Sequence, residues 1–232
     1  MSEERYMDGS YLSSNPSWDM EHSEWKAHLI HKALSRHQIN PTTVAEVGCG
    51  AGRIISELSR LTPTANFTGF DISADAINLA KQVADDSVSF QQTDFLLEEG
   101  RWDLVICADV FEHVDDFLGF LRKLSDRGSA IVFHIPLDLC VGSVIFPSVL
   151  ERTRTKVGHI HYFTRETALA SLKSSGYEIL EAEITAGCIK FPAVGVLGFM
   201  ARLLRSILFR VNPQIAARLL GGFSLLVVTA TS

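Results

Sequence analysis

The sequence predicts an α/β protein whose mostly parallel sheet is covered by helices on both faces. Short apolar runs of strand length alternate with longer segments in which apolar residues recur every three or four positions. A glycine-rich turn follows the first of these runs. The 232 residues, of which 47% are hydrophobic and 21% charged, suffice for one globular core but hardly for two. In such folds the functional sites lie at the carboxyl ends of the strands.

The first helix is expected over about residues 21–37, where Trp25, Leu29 and Leu34 fall on one face. Ser23 is the expected N-cap. A polar stretch with scattered aromatic residues precedes this helix. It could fold over a site at the sheet as one wall of a pocket, or its aromatic side chains could form a separate cluster under a loop.

Seven strands are predicted from apolar runs bounded by turn residues. They are expected at 43–47, 66–70, 87–90, 102–107, 129–135, 177–184 and 223–229. Between them, helices are expected at 54–61, 73–83, 115–124 and 164–175, with Ser73 and Thr164 as N-caps and Gly176 ending the last.

Charge is divided unevenly along the chain. The formal net charge is −6, yet the last 49 residues hold five of the 21 basic residues and none of the 27 acidic ones. An acidic body argues against broad contact with a phosphate backbone, which needs clustered Lys and Arg. We therefore expect no nucleic-acid partner.

The four cysteines are far apart and form no CxxC pair, and no charged-then-apolar signal segment opens the sequence. A disulfide scaffold or zinc ribbon is therefore not predicted, and the expected location is the cytoplasm.

A Gly-x-Gly-x-Gly turn at 48–52 joins the first strand to a helix, and acidic residues stand near the carboxyl ends of four strands. A carboxylate after the second strand suits ribose hydroxyls, because it only accepts hydrogen bonds. This much fits a nicotinamide or an adenosyl cofactor. The turn departs from G-x-G-x-x-G, however, and no basic residue lies in the turn before Arg53, so the site favours a cationic ligand over a pyrophosphate.

Four segments together resemble the class I S-adenosylmethionine-dependent methyltransferases of the small-molecule type, and among them the ubiquinone-biosynthesis O-methyltransferase group. They are VAEVGCGAG at 44–52, GFDIS at 69–73, TDF at 93–95 and CADVFEHV at 107–114. The resemblance covers about residues 43–187 and the final strand. It implies a Rossmann-like three-layer α/β/α sandwich, with a seven-stranded, mostly parallel sheet and an antiparallel last strand.

The resemblance also implies roles for single residues around S-adenosylmethionine, with S-adenosylhomocysteine as product. The methionine end would be bordered by Glu46, Gly48, Gly50 and Gly52, the ribose by Asp71 and Ile72, the adenine by Asp94 and Phe95, and the sulfonium by Asp109. For any single acid, a solvated strand end or a helix cap is the alternative.

His113 and His159 are the candidate catalytic bases, because a neutral histidine accepts a hydroxyl proton near neutral pH. Either could instead be structural, His113 by packing at the next helix and one of His159 and His161 as a polar strand residue.

Asp109, Glu112, His113 and His159 resemble a metal-binding pattern of methyltransferases that act on RNA 3′ ends and quinone precursors. Such ligands could hold a divalent ion that binds vicinal hydroxyls of a substrate. Glu-His at this place also occurs in metal-free relatives, so no metal is assigned.

About thirty residues, 191–222, are inserted before the last strand. On a helical wheel, 193–211 separates an arc with Arg202, Arg205 and Arg210 from a wide apolar arc. The apolar arc could cover the sheet or the pocket, contact a membrane surface peripherally, or form a homodimer interface.

These observations divide the chain into an N-terminal helical lid (1–40), a cofactor-binding domain (41–190), the amphipathic insertion (191–222) and the final strand (223–232). The expected reaction is methylation of a small, partly apolar acceptor. Oxygen is favoured over nitrogen because the Asn/Asp-Pro-Pro-aromatic motif of amino-methylating nucleobase enzymes is missing. The alternatives are a non-catalytic S-adenosylmethionine-binding scaffold and, more distantly, a nicotinamide-dependent oxidoreductase. Either a monomer or a homodimer is compatible with the sequence.

Overall fold

The computed structural model describes residues 20–83, 87–192 and 195–231, together with Tyr6, Gly9, Tyr11, Asn15 and Trp18. Within these residues one seven-stranded sheet has the order β3-β2-β1-β4-β5-β7-β6. Its strands are β1 (Thr43–Val47), β2 (Asn66–Asp71), β3 (Val88–Gln92), β4 (Trp102–Ala108), β5 (Gly128–Pro136), β6 (Glu178–Thr185) and β7 (Ser224–Ala230). All seven strands lie where the sequence predicts them, to within one or two residues at each end.

Only β7 runs against the other strands, pairing antiparallel with both β5 and β6. The remaining neighbours are parallel. The strand order reverses between β1 and β4, and this is the place where parallel sheets of this kind hold their ligands. The predicted sheet with its antiparallel last strand is confirmed.

Helices cover both faces of the sheet. They are α1 (Ser23–Arg36), α2 (Arg53–Leu61), α3 (Ala74–Val83), α4 (Phe117–Ser125), α5 (Val141–Ile145), α6 (Ser148–Lys156), α7 (Arg165–Ser174), α8 (Gly187–Lys190), α9 (Gly195–Val211) and α10 (Pro213–Leu220). One core cluster packs α1 and α2 on the sheet through Ile30, Leu34 and Ile55. The other packs α4 and α7 on the opposite face through Leu121 and Leu172. The three-layer arrangement follows from these two clusters.

The caps agree with the sequence in two of three places. Thr164 forms a capping box with Thr167, and Ser73 Oγ accepts the Ala76 N–H at 3.4 Å. The prediction for Ser23 is wrong. Helix α1 begins at Ser23 itself, because a short 3₁₀ turn (Met20–His22) runs directly into it and places His22 at the N-cap position.

Four helices were not predicted: α5, α6, α8 and α10. The insertion in particular is not a single helix, since Asn212 caps a second one and Pro213 occupies its first turn. All four have fewer than nine residues or carry no buried residue, so they leave only a short apolar pattern in the sequence. Among the described residues, no helix is long and apolar enough to cross a membrane.

Candidate functional site

A cavity of about 1040 Å³ opens at the carboxyl ends of β1, β2 and β4, where the strand order reverses. Its volume is at the upper end of the range for ligand pockets, about 300 to 1,000 Å³. It therefore has room for a nucleoside cofactor and a second molecule. The structure brings ten of the eleven predicted site residues to its wall: Glu46, Gly48, Gly50, Asp71, Ile72, Asp94, Phe95, Asp109, His113 and His159.

Gly52 is the exception. It has a left-handed φ of 71°, and a Cβ there would lie 2.5 Å from the Phe90 ring and 2.9 Å from the Ala80 Cβ. The residue has to be glycine so that the first turn of α2 can approach β3 and α3. It does not line the cavity. The prediction that Gly52 borders the cofactor is therefore corrected to a role in packing.

Gly48 does border the cavity, at a φ of 63°, and a Cβ there would lie 2.8 Å from Val110 Cγ2. This contact brings the turn after β1 against the segment after β4. A bulkier residue would push the two strand ends apart, so Gly48 fixes the width of the cavity floor.

Asp71 shapes the same turn through both of its carboxylate oxygens. Oδ2 accepts the Gly50 N–H at 2.9 Å and Oδ1 accepts the Ser73 N–H at 2.8 Å. Burial raises the pKa of Asp71, and these backbone hydrogen bonds oppose that shift. Each carboxylate oxygen has a second lone pair, so the group can still accept from a ligand hydroxyl.

Glu46 is 2% exposed, and its Oε2 accepts the Ile55 N–H at 3.1 Å near the start of α2. Burial raises the pKa of Glu46 to about 8. A cationic ligand nearby would favour the charged form of Glu46.

Asp94 and Phe95 open a 3₁₀ turn after β3 (Phe95–Leu97), with Asp94 Oδ1 accepting the Leu96 N–H at 2.9 Å. Asp94 is exposed at the cavity, whereas Phe95 is buried and packs its ring against Phe70, with ring centroids 5.1 Å apart. Asp94 is thus a helix cap as well as a candidate ligand residue.

Asp109 is held by two side chains, Lys26 and His134, to which the sequence analysis assigned no role. Lys26 Nζ lies 2.7 Å from Oδ2, and His134 Nδ1 lies 2.9 Å from Oδ1. Burial opposes ionisation, but Lys26 and His134 outweigh it and hold the pKa of Asp109 well below its usual range. Asp109 also has a φ of 54°, unusual for a residue other than glycine.

His134 could have been found from the sequence, because it is the polar exception in the apolar run 130–135 near the carboxyl end of β5. The register places it opposite Ala108, the residue before Asp109. Lys26 carried no such signal, since it lies on a helix with other charged residues.

The two candidate bases lie side by side, with ring centroids of His113 and His159 4.8 Å apart. Nδ1 of His159 is 2.5 Å from Asp138 Oδ2, which leaves the other ring nitrogen available for a proton. Burial lowers the pKa of His159. Asp138 and the charge of Glu112 raise this pKa by more than burial lowers it, so the net shift is upward. Nδ1 of His113 lies 2.9 Å from the Tyr6 hydroxyl and 3.1 Å from the Gly158 carbonyl oxygen.

His161 is structural. Its Nε2 donates to the Val114 carbonyl at 3.0 Å, and the residue does not line the cavity. The expectation that one of the paired histidines is a polar strand residue is not met by His161, which lies outside the strands and contacts the segment after β4 instead.

Glu112 is fully buried beside the two histidines, and neither carboxylate oxygen has a hydrogen-bond partner among the described residues. Burial raises the pKa of Glu112 to about 8. One atom each from Glu112, His113 and His159 lie within 4.8 Å of one another. These three residues fit a divalent ion with O and N ligands, whereas Asp109 is committed to Lys26 and His134.

The N-terminal stretch lines the cavity with aromatic rings. The centroids of Tyr6 and Tyr11 are 4.7 Å apart, as are those of Tyr11 and Trp18. Trp25 stands edge-on to the His134 ring at 6.3 Å. The sequence left open whether these aromatic residues form a wall of the pocket or a separate cluster, and the structure supports the pocket wall.

Curated proteins with related sequences include two ubiquinone biosynthesis O-methyltransferases. The mitochondrial protein of Candida albicans is 27% identical over 172 residues, covering 66% of this chain and 52% of that protein. The protein of Colwellia psychrerythraea is 35% identical over 111 residues, covering 44% of each. The matches thus span about half the length of these relatives.

Solved structures with the same fold include a magnesium protoporphyrin IX methyltransferase from Synechocystis with bound SAH. It is 16% identical, with a TM-score of 0.61 over 90% of this chain and 83% of that one. The N-methyltransferase NodS of Bradyrhizobium japonicum, in complex with S-adenosyl-L-homocysteine, is 18% identical, with a TM-score of 0.58 over 93% and 89%. The resemblance seen in the sequence is confirmed by a family model described as a methyltransferase domain, which matches residues 20–182. The chain belongs to this methyltransferase domain family.

Proposed function

We propose that the chain binds S-adenosylmethionine in the cavity and transfers its methyl group to a small, partly apolar acceptor. Family membership and the S-adenosylhomocysteine bound in structures of the same fold support the cofactor. The observation that carries the proposal is the Gly48–Gly50 turn tied to Asp71, at the point where the strand order reverses. There Asp71 accepts from the ribose, Asp94 lies toward the adenine, and Glu46 faces the methionine end.

Bound S-adenosylmethionine supplies a methyl group on a positively charged sulfur. For an acceptor hydroxyl, the oxygen forms the new bond to the methyl carbon and the sulfur keeps the electron pair of the broken bond. The proton of the hydroxyl passes to the free ring nitrogen of His159, while Asp138 holds the other nitrogen and stabilises the resulting imidazolium. His113 lines the same part of the cavity and orients the acceptor.

Oxygen is the proposed acceptor atom because the aspartate-backed histidine suits removal of a hydroxyl proton. The partly apolar character of the acceptor follows from the aromatic wall formed by Tyr6, Tyr11 and Trp18. The relatives that act in ubiquinone biosynthesis methylate oxygen, by their names, whereas NodS is named as an N-methyltransferase. The choice of oxygen therefore rests on the site and not on the fold.

A second candidate is a metal-assisted form of the same transfer, favoured by the unpartnered Glu112 carboxylate. Glu112, His113 and His159 would hold the divalent ion, whose charge would acidify a bound hydroxyl. The non-catalytic cofactor-binding scaffold is the other alternative. A cytoplasmic location and a monomeric or homodimeric state stay predictions.

The test is calorimetry with S-adenosylhomocysteine, with and without EDTA, and with NADH as control, followed by transfer of labelled methyl groups to phenols, carboxylic acids and amines. We expect S-adenosylhomocysteine to bind and NADH not to bind, with label entering hydroxyl acceptors. Binding without any transfer would support the scaffold, and transfer abolished by EDTA would support the metal-assisted form. Absence of S-adenosylhomocysteine binding would refute the proposal.

A further inference from the structure

The exposed large apolar side chains of this protein are concentrated on neighbouring helices. Of the 17 among the described residues, 15 belong to residues 141–149 of α5 and α6 or to residues 196–219 of α9 and α10. We call these 15 side chains the apolar surface. Single exposed apolar residues are ordinary on any protein, but a contiguous group of this size marks an interaction site.

The two parts of the apolar surface are adjacent. Helix α10 packs against both α5 and α9. At the α5 contact the backbones are so close that a Cβ on Gly142 would lie 3.3 Å from the Leu219 carbonyl oxygen. The apolar surface therefore extends across several helices of one face, although its two parts are about fifty residues apart in sequence.

Helix α9 turns two of its three arginines, Arg202 and Arg205, toward the protein, whereas Arg210 is exposed. Arg202 Nε donates to the Ile189 carbonyl at 2.8 Å, and Arg205 Nε donates to the Gly221 carbonyl at 3.1 Å. The apolar arc faces outward, with Leu197 84% and Leu203 51% exposed. Of this arc, Leu208 packs against the core, while most of the other residues do not cover the sheet. The two arginines hold the helix with its apolar arc exposed.

The segments that carry the apolar surface are also basic. Residues 141–156 and 187–220 together contain eight basic residues and one acidic residue, although the whole chain has a net charge of −6. Arg202 and Arg205 donate to backbone carbonyls and Arg218 pairs with Glu166. The other five basic residues are exposed: Arg152, Arg154, Lys156, Lys190 and Arg210. Apolar side chains among positive charges are the combination that anionic bilayers bind. An isologous dimer through the same surface would bring two such positive regions together, which disfavours a second copy as the occupant.

Both parts of the apolar surface lead to the cavity. Helix α8 packs against α9, and its residues Gly187 and Cys188 line the cavity. Val157, directly after α6, also lines the cavity. A bilayer against the apolar surface would therefore lie beside the cavity, where an acceptor with an apolar tail could enter.

We propose that the apolar surface docks the protein on anionic lipid bilayers. Docking itself does not depend on methyl transfer; only the entry of a lipid-like acceptor rests on the function proposed above. Arg202 and Arg205 of α9 stay with the protein, while Leu197, Leu203 and their neighbours enter the interface between headgroups and acyl chains.

The test is co-sedimentation of the full chain with phosphatidylcholine vesicles that contain or lack phosphatidylglycerol. Two variants each add two negative charges to the apolar surface, Leu197→Glu/Leu203→Glu on α9 and Ile145→Glu/Phe146→Glu at α5. The matched control is Leu97→Glu/Leu180→Glu, which adds the same charges to the two exposed large apolar residues outside the apolar surface. Circular dichroism and S-adenosylhomocysteine calorimetry on each variant verify folding and the cofactor site separately.

We expect the wild type and the control to sediment with anionic vesicles and to be released by salt. The partition coefficient of each surface variant onto anionic vesicles should fall at least about tenfold, because the variant loses two large apolar contacts and its added carboxylates repel the anionic lipids. Three results would overturn the proposal. They are a wild type that stays in the supernatant with anionic vesicles, surface variants that sediment like the control, or light scattering that shows a dimer disrupted by the same substitutions. S-adenosylhomocysteine binding is read independently, so loss of docking and loss of the proposed function are distinguishable.

Discussion

Lys26 Nζ lies 2.7 Å from Oδ2 of Asp109, and this ion pair ties helix α1 to the end of β4 at the cavity. The lysine side chain is 9% exposed and that of Asp109 27%. His134 Nδ1 contacts the other carboxylate oxygen at 2.9 Å, so both oxygens of Asp109 have a partner within the protein. The N-terminal helix is thus fixed to the site by charge as well as by apolar packing.

Replacing Lys26 with Met should destabilise the fold, because it leaves a largely buried Asp109 carboxylate without its lysine partner. Removing one partner of a buried pair costs about 3 to 5 kcal/mol, and the partial exposure of Asp109 reduces our expectation to about 1 to 3 kcal/mol. Chemical unfolding measures this difference. The matched control is Lys32→Met, at an exposed position of the same helix. Equal losses for the two variants would mean that the ion pair contributes no stability.

Replacing Asp71 with Asn should weaken S-adenosylhomocysteine binding. The substitution removes the charge that accepts ribose hydroxyls, and hydrogen bonds to charged groups contribute about 1.5 to 3 kcal/mol, or roughly tenfold to a hundredfold in affinity. Calorimetry measures the change, with Asp126→Asn, at an exposed position outside the cavity, as the control. The amide has one acceptor oxygen and keeps only one of the hydrogen bonds from the Gly50 and Ser73 N–H groups, so circular dichroism verifies that the variant folds. Unchanged affinity would show that Asp71 serves the turn alone.

Replacing Glu112 with Gln should remove a pH dependence of stability. Burial raises the pKa of the folded-state carboxyl to about 8, above the unfolded value of about 4.3. The contribution of a raised acid is complete below the unfolded pKa and is lost as pH rises through the folded pKa. The wild type should therefore lose about 3 to 4 kcal/mol relative to the variant between about pH 5 and about pH 8.

Guanidinium unfolding in EDTA at both pH values measures the free energy of unfolding of the two proteins. Equal losses of stability in the wild type and the variant would contradict the prediction.

Added Mg²⁺ or Mn²⁺ then tests the hypothesis of a metal site. An ion held by Glu112, His113 and His159 would stabilise the wild type at high pH and leave Glu112→Gln much less affected.

The sheet could be predicted from the sequence because each strand is an apolar run between turn residues. The acidic residues at the strand ends indicated where the site lies. What could not be predicted depends on contacts between distant segments. Lys26 contacts Asp109, which lies 83 residues further along the sequence. The short helix α5 packs against α10, and neither helix has an apolar periodicity long enough to predict it from the sequence. The orientation of α9 was also hidden. Its wheel shows two arcs, but only the carbonyl oxygens of Ile189 and Gly221 determine that Arg202 and Arg205 face inward.

Replacing Asp138 with Asn should lower the pKa of His159. Burial lowers the pKa of this imidazole, and the nearby carboxylates, Asp138 first, raise it above its ordinary value of about 6.5. Without the charge of Asp138, burial has the larger share, and the imidazole loses its proton at lower pH. NMR titration of the histidine ring in EDTA measures the shift independently of any acceptor, with Asp126→Asn as control.

Once an acceptor is known, the rise of kcat/KM with pH should move to lower pH in the variant. The plateau of kcat/KM should fall at least about tenfold, because the base is less well oriented. A plateau that falls with no shift of the titration would make Asp138 a purely structural residue, and a titration that shifts with an unchanged rate would remove His159 from the reaction.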